Sequence, residues 1–144
     1  MKNIYILLIS ILPVLSSAQK SDKDCKALRH GTFEIYQSGK KLGLVYRKDQ
    51  VQIEKYEEMN KLTYVKSEAD KCDYVLSDYL KRKRKGLMSF EVIYTWVSKG
   101  VYEYKAKPVG LDVAYLEGGK IIKMSNSIPK EYRKKFKELS KIDH

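Results

Sequence analysis

Histidine and cysteine are nearly missing from this chain, with two of each in 144 residues. The cysteines, Cys25 and Cys72, stand far apart with no CxxC spacing and no paired histidines beside them, which excludes the ligand sets that zinc needs. His144 is terminal. His30 lies between Arg29 and Gly31 at an expected strand entrance and reads as a solvated or capping residue, so a Ser-His-Asp or Cys-His arrangement lacks its partners. Walker, GxGxxG, GxSxG and HExxH patterns do not occur. Carboxylates are numerous, with Glu54, Glu57, Glu58, Glu68, Asp70 and Asp73 close together. They fall among lysines in expected loops and read as a solvated charge run, because nothing holds two carboxyls across a cleft as glycosidic chemistry requires. The expectation is a non-catalytic protein with no metal and no cofactor.

Long hydrophobic runs are also lacking. The longest, Ile4 to Leu15, spans about 12 residues, short of the roughly 20 that cross a bilayer as a helix. With Lys2 before it and Ser16-Ser17-Ala18 after it, residues 1–18 read as a signal peptide cut near Ala18. A lipoprotein signal would place cysteine where Gln19 stands. Residues 19–144 then form one exported domain, periplasmic or secreted, long enough for one core and too short for two. In an oxidising compartment Cys25 and Cys72 are expected to bridge rather than remain separate buried thiols. On the loop-entropy model that bridge contributes at most roughly 4 kcal/mol.

Acidic residues are outnumbered, 18 against 29 basic ones, for a formal charge of +11. Such a surplus keeps a small protein soluble or draws it to anionic lipid, polysaccharide or nucleic acid. Export leaves nucleic acid the least accessible of these. The five cations Lys81, Arg82, Lys83, Arg84 and Lys85 lie between apolar runs and end at Gly86, where a hairpin must turn. Like charges at such a tip stay hydrated and discourage pairing with other chains.

What the chain has in quantity is tyrosine, twelve in all, most of them set in a period-two alternation from Gly31 onward that marks strands with one buried face. Phe33 and Ile35 share a face; Gln37-Ser38-Gly39-Lys40 supplies a turn. Leu44 and Tyr46, then Val51 and Ile53 beyond Arg47-Lys48-Asp49-Gln50, form either one long bent strand or two short ones. Leu62 and Tyr64, then Tyr74, Leu76 and Leu80, follow polar breaks. Met88, Phe90, Val92, Tyr94 and Trp96 make an unbroken apolar face, the expected central strand. Ser98-Lys99-Gly100 turns the chain into Val101 to Lys107, which Pro108 ends. Leu111, Val113 and Tyr115 alternate next, and Glu117-Gly118-Gly119-Lys120 carries a two-residue hairpin signal. The tyrosines read as amphipathic residues closing a small core.

After Ser125-Asn126-Ser127 the period lengthens: Ile128, Tyr132, Phe136 and Leu139 make one helical stripe, continuing to Ile142. Ser127 is the expected cap, with Pro129 and Glu131 in the first turn. The other faces carry Lys130, Arg133, Lys134 and Lys137. The stripe either packs on the sheet or lies on an anionic membrane.

Cys25 six residues before Gly31-Thr32-Phe33, Arg47 to Gln50 followed by Gln52-Ile53-Glu54, Cys72-Asp73-Tyr74-Val75-Leu76 and Val101-Tyr102-Glu103-Tyr104 together resemble a group of small exported proteins of Bacteroidetes-type bacteria. The resemblance covers about residues 25–105 and departs from the group's pattern where a tryptophan before the second cysteine is replaced by the polar stretch Lys66 to Lys71. Group members often carry the name topoisomerase IV. That activity needs a far longer chain with a nucleophilic tyrosine in a DNA-gate domain, so the resemblance implies export and a Cys25–Cys72 pair, not an activity.

The expected fold is an all-β antiparallel meander of about seven or eight short strands, a half-open barrel or sandwich, with one C-terminal α-helix and one disulfide. Residues 19–30 form an N-terminal segment, 31–126 the β domain and 127–144 the basic helix. The expected function is partner or ligand binding at the cell envelope. The alternative is electrostatic attachment to anionic envelope lipid or polysaccharide through Lys81 to Lys85 and the helix's Lys130, Arg133, Lys134 and Lys137. A cavity between the faces of Phe90 to Trp96 and Tyr102 to Ala106 would favour ligand binding; a filled core would favour a surface role.

Overall fold

The computed structural model describes residues 23–79 and 89–142. The expected signal peptide and the Lys81 to Lys85 run lie outside them. Within them the meander closes on itself. Strands β1 (His30–Gln37), β2 (Lys40–Lys48), β3 (Val51–Tyr56), β4 (Thr63–Asp70), β5 (Asp73–Asp78), β6 (Phe90–Ser98), β7 (Val101–Pro108) and β8 (Leu116–Ser125) pair in chain order, each antiparallel to the next. β8 then pairs back onto β1, from Thr32↔Ser125 to Tyr36↔Lys120. The result is an eight-stranded closed barrel, which removes the sheet edges an open meander would leave. No strand is central, so β6 is one wall among equals.

Local chemistry explains most of the turns. Ser38 and Gly39 both take positive φ, 51° and 74°, the pair of left-handed residues that lets a two-residue hairpin follow the twist of its strands. Asp49 at φ 55° turns β2 into β3, so Leu44 to Ile53 is two strands. Gly100 at φ 73° joins β6 to β7. The register shifts between Ile35 and Tyr36, between Trp96 and Ser98 and between Tyr104 and Lys105; such irregularities add the curvature a closed barrel needs.

Gly118 and Gly119 do not turn the chain. They lie inside β8, where a Cβ on Gly119 would overlap the Tyr36 carbonyl oxygen and one on Gly118 the Tyr104 ring. Two glycines in a strand can equally mark close backbone approach, and here they let β8 fit between β7 and β1. Leu111 and Val113, expected in a strand, are exposed in the β7–β8 connection.

Two cores flank one wall. Inside the barrel Leu28, Phe33, Val45, Tyr74, Val92, Tyr102 and Ile121 are buried together. Outside it the helix α1 (Lys130–Leu139) lays Tyr132, Phe136 and Leu139, with Ile128 just before it, on Tyr46, Val51 and Ile53. The Tyr46 and Tyr132 rings stack at 4.4 Å, and the Tyr79 hydroxyl donates to the Leu139 carbonyl at 2.7 Å. The apolar stripe is thus consumed by packing on the sheet, while Ile142 stays exposed. Ser127 does not cap the helix: Pro129 holds the N-cap position without a side-chain bond, and Ser127 instead pairs with Ser125. Outward residues of β7 away from α1, such as Glu103 and Lys105, are charged and exposed. That is the reverse of the apolar outer band of a barrel set in lipid.

One end of the barrel is stoppered. A 3-10 turn (Lys26–Arg29) buries Leu28 under the sheet. Cys25 is joined to Cys72, with Cα atoms 5.1 Å apart, which ties this stopper to the β4–β5 turn. Lys123 Nζ donates to the Ala27 carbonyl at 2.7 Å.

Gly119→Ala should lower stability by several kcal/mol, because backbone rather than a flexible side chain fills the space. Gly110→Ala, with open space and only its φ of 79° to strain, should cost about 1 kcal/mol. Equal losses in urea denaturation would contradict the packing role of Gly119.

Candidate functional site

The β1–β2, β3–β4 and β7–β8 connections, the last residues of β5 and the first of β6 all lie at the end opposite the stopper. There the interior is a cavity of about 830 Å³. Its walls are the inward residues Ile35, Val45, Leu76, Val92, Ala106 and Ile121, set there by the strand alternation. Leu42, Met59, Lys61, Leu62, Asp78 and Phe90 stand around the mouth. The faces of Phe90 to Trp96 and Tyr102 to Ala106 therefore do both things considered above: they fill the stoppered half with Tyr94 and Tyr102 and leave the other half open.

The polar groups gather toward the stopper on β2 and β3. Arg47 has no exposed surface. Its Nη1 donates to the Leu28 carbonyl at 2.8 Å, and its Nε and Nη2 donate to Gln52 Oε1 at 2.8 and 2.6 Å. Nη2 also reaches the Tyr94 hydroxyl at 3.2 Å. The rings of Tyr74, Phe33 and Tyr94 lie 4.7, 5.7 and 5.7 Å from the guanidinium carbon. A guanidinium keeps its charge under all ordinary conditions, so these contacts are what make its burial possible.

Gln52 passes the polarity on. Its Nε2 donates to Glu54 Oε1 at 2.5 Å, and the Tyr56 hydroxyl donates to Glu54 Oε2 at 2.9 Å. Burial pushes the Glu54 carboxyl above the usual carboxylate range, against the opposing pull of Tyr56, Gln52 and Arg47. Burial, with Glu54 adding to it, likewise pushes the Tyr56 hydroxyl well up, so that it remains a donor. A guanidinium and a carboxyl group thus sit in one cavity wall with an amide between them.

This cluster was not expected from sequence. Arg47, expected in a turn, and Glu54, expected in a solvated run, are both interior residues of strands. The signal was the second alternation, Val45-Arg47 and Gln52-Glu54-Tyr56, running opposite Val51 and Ile53. It was masked because the apolar positions of β3 face the helix, not the barrel interior. Of the expected site residues, Cys25 and Cys72 are bridged. Lys130, Arg133, Lys134 and Lys137 are exposed on α1, outside the barrel and apart from the cavity. Lys81, Arg82, Lys83, Arg84 and Lys85 fall outside the described residues. His30 opens β1 and is exposed. No family model, curated protein or solved structure matches the chain.

Two measurements check the cluster. Arg47→Met should lower stability by about 3–5 kcal/mol in urea denaturation, since it leaves the Leu28 carbonyl and Gln52 without their buried partner; a loss under about 1 kcal/mol would contradict the network. For Glu54, a folded-state pKa above its unfolded value means that the folded protein holds the proton more tightly. Its contribution is therefore present below the ordinary value of 4.5 and lost as pH rises through the higher folded value. Glu54→Gln should gain stability relative to the parent as pH goes from about 4 to 7. Glu34, lowered by its bonds from Lys41 and Tyr36, acts in the opposite direction but equally in both proteins. Parallel melting-temperature profiles would exclude the assignment.

Proposed function

We propose that this protein is a non-catalytic binder of a small, mainly apolar ligand, taken into the open half of the barrel. The observation that carries the reading is the cavity itself, with apolar walls, convergent polar groups on one side and a single stoppered end. Its volume lies within the range of drug-sized ligand sites, about 300–1,000 Å³, and eight strands enclose room for one small molecule. Exposed apolar side chains stand at the mouth end of the molecule: Met59, Phe90, Val109, Leu111, Val113 and Leu116, the last with 69 % of its surface exposed. Exposed apolar surface of this kind serves ligand entry or contact with a donor surface.

Export belongs to the same proposal. A bridged Cys25 and Cys72 is at home in an oxidising compartment, and residues 1–18 have the composition of a signal peptide. The resemblance to small exported proteins points the same way. The exposed Lys130, Arg133, Lys134 and Lys137 support an auxiliary attraction to anionic envelope surfaces. That attraction would be electrostatic only, since the helix's apolar stripe is already buried.

Nile red, neutral and apolar, should bind with one-to-one stoichiometry and a fluorescence increase. Ala106→Trp, which fills the cavity from β7, should weaken it by about tenfold or more while leaving the circular dichroism spectrum unchanged; Leu76→Trp provides a second block from β5. Uptake that persists in both folded variants, or no uptake by the parent protein, would exclude the barrel interior as a ligand site.

A further inference from the structure

Resting on the reading of the interior as a ligand cavity, we infer that its ligand carries a hydrogen-bond-donating head on an apolar body, a protonated amine ahead of a neutral hydroxyl, and that carboxylates and phosphates are disfavoured. The inference turns on which of the two deeply buried ionisable groups in the cavity wall, Arg47 or Glu54, still has bonding capacity.

Arg47 has little. Four of its five N–H groups are accounted for by Leu28, Gln52 and Tyr94, and aromatic rings cover its faces. An anion could reach this guanidinium only by displacing partners that already hold it, including the stopper's own carbonyl. The cation belongs to the protein's structure.

Glu54 is the reverse case. A carboxylate has about four lone-pair sites, and two donors occupy it, Gln52 Nε2 on one oxygen and the Tyr56 hydroxyl on the other. Both residues line the cavity beside it, as do the rings of Tyr94 and Tyr104. A donor head placed here completes the carboxylate's bonding, and a cationic one also offsets the burial that makes its charge costly. The aromatic lining suits a cation further. Among the described residues at the mouth, Lys61 and Asp78 carry opposite signs and offset one another.

The overall charge of +11 argues for anions at long range, and that is what makes the inference discriminating. Salt screens the long-range field over about 10 Å at 0.1 M but leaves a buried pair largely intact.

The test compares dodecylamine, dodecanol and dodecanoate, equal in chain and different in head, by displacement of Nile red from the parent protein at neutral pH and 0.15 M salt. The amine should bind about tenfold or more tighter than the carboxylate, with the alcohol between them, as a charge-assisted hydrogen bond predicts. Glu54→Gln should weaken the amine by about tenfold and leave the alcohol within about twofold. Carboxylate binding equal to or tighter than the amine's, blocked by Ala106→Trp, would overturn the head-group inference while keeping the cavity. An amine preference that survives Glu54→Gln would overturn the role of Glu54. Failure of all three probes and of Nile red itself would instead overturn the cavity reading.

Discussion

A guanidinium with no access to water organises this barrel. Burying Arg47 would be prohibitive unless nearly every donor found an acceptor and its faces found aromatic rings. The partners come from five separate parts of the chain: the 3-10 turn through Leu28, β1 through Phe33, β3 through Gln52, β5 through Tyr74 and β6 through Tyr94. Satisfying one side chain therefore draws the stopper onto the barrel and sets four strands around it. The Cys25–Cys72 bridge holds the same stopper from its other side, so covalent and electrostatic restraints act on one element.

The consequences run toward function. Because Arg47, Phe33, Tyr74 and Tyr102 fill the stoppered half, the open half is a blind cavity and not a channel. Because Gln52 stands between Arg47 and Glu54, the carboxylate is oriented without being neutralised by direct ion pairing, and its remaining acceptor capacity belongs to the cavity. The outer face of β2 and β3 is meanwhile sealed by α1, leaving those two strands buried on both sides. A wall so supported is a rigid place for polar groups that must keep their geometry.

Much of the architecture was legible. Ser38-Gly39, Ser98 to Gly100 and Pro108 each act through backbone constraints that neighbours do not alter, and they mark the strand ends where the barrel has them. The helical stripe of Ile128, Tyr132, Phe136 and Leu139 is buried as its spacing required. The misreadings share one cause. Gly118-Gly119 permits either a turn or a close approach, and the choice depends on Tyr36 and Tyr104, both more than a dozen residues away. Leu111 and Val113 alternate but lack a partner strand, so their pattern has nothing to bury against.

Local sequence alone determined the alternation, the hairpins, the helix and the cysteines available to bridge, because period, φ preference and oxidation chemistry are properties of short stretches. Only the tertiary structure decided that the meander closes, that Val51 and Ile53 face a helix while Gln52 and Glu54 face a cavity, and that Arg47 is a buried centre instead of a turn residue. The reason is geometric. A strand has two faces, and which one is interior is settled by what the rest of the chain lays against it; in β3 apolar residues went to the helix, and the polar ones were left to line the site.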